Sequence, residues 1–255
     1  MKLKMFVCVV FITMAVSDSL GGWIFTEGGE ESTKTSYIQD NKIKIVEPDQ
    51  IQIFDLSKNM IVIANPNQKS FWSGTPEEFA DYGKKALENI KETIDQQMAW
   101  MPTREKESFK EDMLRQIKRD ANMPARVEVK PNPDTDKVAG YDVRKYEILV
   151  NGQLKFENWT SENIPVGREF DINGFGNMMR IFQSGFGHGE GSALWSPEVV
   201  NLIARGWVLR TVYFEEEGAI QVDEVSKVEN KSLPPSVFEI PPDYRKMPIT
   251  EIFGK

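Results

Sequence analysis

Between residues 34 and 73 the apolar positions fall on every second residue in short runs. Ile43 and Ile45 alternate with Lys42 and Lys44, and Ile51 and Ile53 alternate with Gln50 and Gln52. An extended chain sends successive side chains to opposite faces, so this period predicts half-buried strands. The runs are broken by Asp40-Asn41, Pro48-Asp49, Ser57-Lys58-Asn59 and Asn65-Pro66-Asn67. Such residues suit turns because they tolerate left-handed backbone, bond to their own main chain or fix φ. Connections this short join antiparallel neighbours, and the stretch reads as a meander of about four or five strands.

At residue 75 the period changes. Thr75-Pro76-Glu77-Glu78 offers a capping threonine, proline at the first helical position and glutamate at the third, a combination that starts helices. Phe79, Tyr82, Leu87, Ile90 and Ile94 then recur at three-to-five-residue steps and form one apolar stripe. Pro102 ends or kinks this helix, and Thr103 caps a second one with Phe109, Met113 and Ile117 on its apolar face. Charged residues fill the remaining faces of both.

Strand signals resume over Ala125–Lys130, break at Pro131-Asn132-Pro133-Asp134 and return at Gly140. Tyr146, Ile148 and Val150 lead into Asn151-Gly152, with Leu154 and Phe156 beyond it. Asn-Gly favours the positive φ values of a type I′ turn, so a hairpin is expected there. Residues 170–204 predict two short helices, one of them started by Ser196-Pro197-Glu198. Trp207–Glu215 and Ile220–Val228 form a further strand pair around Glu217-Gly218, and a proline-rich tail from Leu233 is expected to lie along the surface. Groups of strands in tight turns with helices inserted between them predict an α+β fold. An open sheet of about ten strands curls. The expectation is therefore a strongly curved antiparallel half-barrel, with helices over its concave face.

Composition adds an address. Lys2 and Lys4 precede the uncharged run Met5–Ala15, and Ala15-Val16-Ser17 places small residues where a signal peptidase cuts. The run is too short to span a bilayer, and the pattern is that of a secretory leader over residues 1–20. Residues 23–255 are then expected to form one exported domain, periplasmic or secreted, with no integral membrane segment left. Cys8 is the single cysteine and lies inside the leader, so the mature chain has no disulfide, no thiol nucleophile and no lipid-anchoring cysteine. Loss of Lys2 and Lys4 makes the remainder more acidic than the formal net charge of −8. An acidic chain repels nucleic acid and anionic membrane surfaces, so neither is an expected partner. Two glycosylation triplets occur, at Asn158-Trp159-Thr160 and Asn230-Lys231-Ser232.

No catalytic constellation emerges from the sequence. His188 is the sole histidine, near Glu190, whereas a metal site needs three or four ligands. There is no calcium-loop run, phosphate loop or nucleophile elbow. Neither a cofactor, a metal nor an enzymatic role is expected. Gly174, Gly176, Gly185, Gly187, Gly189 and Gly191 interleave with Phe175, Met178, Met179, Phe182 and Phe186. That segment reads either as a lid of large apolar side chains over a cavity or as ordinary core with turns around it.

Certain segments carry a family likeness: Phe54-Asp55-Leu56-Ser57-Lys58-Asn59-Met60-Ile61-Val62-Ile63, Val138–Tyr146, Phe156-Glu157-Asn158-Trp159 and Phe238–Tyr244. With the order of elements, they resemble the LolA/LolB-like superfamily of exported bacterial proteins. Within or near it, they resemble a family known only as a domain of unknown function (DUF4412-like). The resemblance implies a half-barrel closed by helices, with acyl chains or lipidated proteins held between the layers. The expected function is a non-enzymatic carrier or sensor of a lipid or other apolar ligand. Phe79, Leu87, Ile90, Ile94, Phe175, Phe182 and Phe186 would line the site. The alternative is a cell-envelope scaffold or interaction module with a filled core.

Overall fold

Three two-residue turns organise the strands. The computed structural model describes residues 21–28, 33–97, 126–185, 190–215 and 218–253. In Asp40-Asn41, Ala139-Gly140 and Asn151-Gly152 both central residues have positive φ, the geometry whose twist matches that of paired strands. They join β2 (Lys34–Gln39) to β3 (Lys42–Val46), β7 (Val127–Val138) to β8 (Tyr141–Val150), and β8 to β9 (Gln153–Ser161). The expected hairpin at Asn151-Gly152 is present. So is the meander, formed by β2, β3, β4 (Ile51–Asp55), β5 (Met60–Asn65) and β6 (Ser70–Gly74).

With β1 (Gly22–Glu27), β10 (Trp207–Glu215), β11 (Gly218–Lys231) and β12 (Arg245–Lys246), the described residues form one open sheet of 12 strands. Its order is β12-β6-β5-β4-β3-β2-β1-β11-β10-β9-β8-β7. Every pairing is antiparallel except β12 with β6. The chain runs up one half, leaves through α1 (Pro76–Gln97), builds the other half from its outer edge inward, and closes the seam by pairing β11 with β1.

Thr75 and Glu78 start α1 as the sequence predicts: the Glu78 amide donates to Thr75 Oγ1 (3.2 Å) and the Thr75 amide donates to the Glu78 carboxylate (2.9 Å). The segment 172–205 holds three helices among the described residues, not two: α2 (Ile172–Ser184), α3 (Glu190–Ala193) and α4 (Pro197–Arg205). Asp171 and Ser196 accept amide hydrogen bonds at the starts of α2 and α4. A short α5 (Ile249–Phe253) ends the described chain. The second helix expected from Thr103 lies outside the described residues.

Two expectations change. The predicted break at Pro131–Asp134 is a register shift within β7, which continues to Val138. Proline is tolerated there because β7 is the sheet's edge strand and one side of its backbone needs no ladder partner. The tail after Leu233 adds β12 to the sheet's edge beside β6, and it also buries apolar area. Ile240 and Tyr244 pack on Ile51, Ile53, Val62 and Ala64, and Lys44 Nζ donates to the carbonyls of Val237 and Glu239 (2.8 and 3.2 Å).

The opposite face carries the main core. Trp23, Ile38, Ile43, Phe54 and Ile61 stand directly across from one another on five consecutive strands. They share one cluster with Phe79 of α1 and with Phe175, Met178 and Met179 of α2. Farther along the sheet, Ile148, Val150 and Phe156 pack on Ala193 of α3 and Val199 of α4. The strands β4 and β5 are thus buried on both sides, with helices on one and the tail on the other.

Candidate functional site

Three of the sequence-predicted site residues meet. Phe182 of α2 stacks on Phe79 of α1 with ring centroids 4.0 Å apart, and Phe54 of β4 meets Phe175 and Phe182 edge-on at 5.4 and 6.1 Å. Trp72 and Phe170 extend the group against Phe79 and Phe175. Offset-stacked and edge-to-face pairs are the favoured aromatic arrangements. In this part of the interior, rings occupy the space between sheet and helices. Leu87 is half-buried on α1. The side chains of Ile90 and Ile94, and the whole of Phe186 and His188, lie outside the described residues.

The open space lies beside this aromatic wall. A recess of about 190 Å³ is lined by Trp195, Ile203, Trp207, Leu209, Tyr213 and Val225, with Glu27, Lys34, Arg210 and Asp223 among its polar members. Ile203 comes from α4 and Trp195 from the link preceding it; the other apolar members come from β10 and β11. The recess therefore sits between the helix layer and the sheet. Each of its three rings rests on a buried phenylalanine: Trp207 on Phe25 (5.3 Å), Trp195 on Phe175 (5.1 Å) and Tyr213 on Phe156 (5.7 Å).

Polar groups at the recess are mostly paired. Lys34 Nζ meets Glu27 at 2.8 Å. The Arg210 guanidinium bonds Asp136 at 2.8 Å, bonds Glu224, and lies 5.1 Å from the Trp159 ring, which Lys145 also approaches at 5.5 Å. Arg210 holds the Asp136 carboxyl below the usual carboxylate range. Burial, reinforced by Asp223 and Glu27, pushes the Tyr213 phenol up. It therefore stays protonated as a hydrogen-bond donor at neutral pH.

Trp195, Ile203, Trp207, Leu209, Tyr213 and Val225 were not among the site residues expected from the sequence. The available signal was the density of aromatic and branched residues in Trp207–Phe214, which marks a strand and not a site. Asn158, in the first glycosylation triplet, is 3% exposed and accepts the Thr211 hydroxyl, so the folded chain presents no acceptor there. Among the described residues no group of three or more His, Cys, Asp or Glu side chains is placed to hold a metal. No helix of the described residues is long and apolar enough to cross a membrane.

These features describe an open, mostly antiparallel sheet of 12 strands among the described residues, accompanied by helices, with a recess lined in part by apolar side chains. The chain belongs to the DUF4412 family, a domain of unknown function, whose profile matches residues 88–244. The match takes in the resembling segments at Val138–Tyr146, Phe156–Trp159 and Phe238–Tyr244, and leaves out β1 to β6. No curated protein matches the sequence significantly. Among solved structures the chain is similar to PNGF-II in its C2 crystal form. The TM-score is 0.39 at 12% identity, over 91% of this chain and 32% of that one. MucB aligns at a TM-score of 0.35 and 10% identity, over 89% of this chain and 60% of that one. The chain thus spans about a third of PNGF-II and three fifths of MucB.

Proposed function

We propose that this chain is an exported, non-enzymatic carrier or sensor that holds an apolar ligand between helices and sheet. One observation carries the reading: the recess walled by Trp195, Ile203, Trp207, Leu209 and Val225 beneath the helix layer. Concave, largely apolar sites with a few polar groups are where small ligands bind. Each Å² of apolar ligand surface removed from water contributes about 25 cal/mol. In this reading residues 1–20 are removed on export, residues 23–255 act as a single LolA-like domain, and the sheet is a half-barrel with helices on its concave side.

The scaffold alternative has its own support, the ring contacts that fill the neighbouring interior at Phe54, Phe79, Phe175 and Phe182. The two readings separate experimentally. The carrier reading expects organic extraction of the purified mature protein to release an apolar molecule detectable by mass spectrometry. It also expects added 1-octanol to raise the melting temperature and change tryptophan fluorescence. An empty extract, with neither response, leaves the filled-core module.

A further inference from the structure

Granted the binding recess proposed above, its charges specify what enters it. Asp223 is a carboxylate with no cationic partner among the described residues: the neutral Gln221 side-chain amide donates to it at 2.8 Å. The nearby cations are already engaged, Lys34 by Glu27 and Arg210 by Asp136, Glu224 and the Trp159 ring. The recess also adjoins a wider depression of about 590 Å³, which shares Glu27, Lys34 and Asp223 with it and adds Glu47, Asp49 and Glu224. Five carboxylates and a single lysine therefore line that mouth.

The walls point the same way. Trp195, Trp207 and Tyr213 contribute aromatic rings, whose faces carry negative quadrupole potential and attract organic cations. The phenylalanines behind them hold all three in place before any ligand arrives, so little ordering cost is left for binding. An anionic head would meet uncompensated carboxylates, and a neutral head would leave the Asp223 charge unanswered. We propose that the recess selects an organic ammonium ligand, an alkylammonium or quaternary ammonium group on an apolar body. The ammonium sits at Asp223 among the three rings, and the body lies on Ile203, Leu209 and Val225.

The test uses the full mature chain and three probes of similar size: hexyltrimethylammonium, 1-hexanol and hexanoate, titrated by tryptophan fluorescence. Hexyltrimethylammonium is expected to bind about tenfold or more tightly than 1-hexanol, the scale of a desolvated cation–π contact, with hexanoate weakest. Asp223→Asn should bring the ammonium probe to within about threefold of the alcohol measured on the same variant. In the unaltered chain, added salt should weaken the ammonium probe alone, a readout that needs no variant to fold. Equal affinities for ammonium and alcohol, or a preference for hexanoate, overturn the ammonium selectivity and leave the apolar recess standing. Silence from all three probes removes the binding recess itself.

Discussion

Gly185 follows α2 directly, with α1 alongside, and replacing it by alanine sets two effects against each other. Its φ is −70°, a value alanine adopts without strain. By helix propensity alone the change favours folding by up to about 1 kcal/mol, and by less at a helix end. Packing opposes it. A Cβ built on Gly185 would lie 2.7 Å from both the carbonyl carbon and the Cα of Ala80 on α1, with the Ala80 carbonyl oxygen closer still. Because these are main-chain atoms, no rotamer change relieves the overlap. The two segments must separate, and the Phe79–Phe182 stack at 4.0 Å lies between the same helices.

Overpacking of this kind costs about 1–3 kcal/mol, with the upper end appropriate when rigid backbone must move. The net expectation for Gly185→Ala is a loss of about 2 kcal/mol, or a fall in Tm of roughly 4–8 °C for a domain of this size. Urea unfolding checks it through a lower midpoint at unchanged slope, and near-UV circular dichroism should report the loosened ring contacts. A variant as stable as the parent, or more so, would refute the claim that close α1–α2 contact governs this position.

Two further outcomes follow from the elements that fix the layers. Thr75→Ala removes one half of the reciprocal cap on α1 and should cost about 1 kcal/mol in urea unfolding; an unchanged midpoint would mean that α1 is held by packing alone. Lys44 is pushed below the ordinary lysine range by burial under the tail, so its charged form is disfavoured in the folded state. That penalty is relieved as pH rises through the lowered folded value toward the unfolded one. The stability of the parent relative to Lys44→Met should therefore increase from neutral pH toward pH about 10, and a decrease would contradict the assignment.

Much of the fold was legible because local chemistry dictates it. Asn151-Gly152, Asp40-Asn41 and Thr75-Pro76-Glu77-Glu78 each act within a few residues, and each does what its chemistry requires. Facing was not legible. Ile43 and Ile45 of β3 point to the helices, whereas Ile51 and Ile53 of β4 point to the tail. Alternation fixes which residues share a face but not which partner covers that face. The tail's role depended on contacts with strands nearly two hundred positions earlier, beyond any local pattern. The site divided in the same way. Phe79, Phe175 and Phe182 were picked out by their apolar spacing and do come together, yet as a wall. The recess draws on residues from β10, β11, α4 and the α3–α4 link, and on Glu27 and Lys34 brought in by the non-sequential pairing of β11 with β1.

A filled interior and the proposed binding recess are compatible here, because one supports the other. Phe175 belongs to the packed aromatic group and also backs Trp195 at the recess wall; Phe25 lies in the main core and backs Trp207. A side chain fixed on one face by close packing offers its other face to a ligand at little entropic cost. The double burial of β4 and β5 anchors the helix layer at one end, and the space remains where that layer passes over β10 and β11. A ligand filling about 190 Å³ need not reopen the core. A longer one must run outward past Asp223 toward the acidic mouth, since the way inward is closed by rings in contact. For the proposed ligand this geometry favours a short apolar body with its polar end facing the carboxylates.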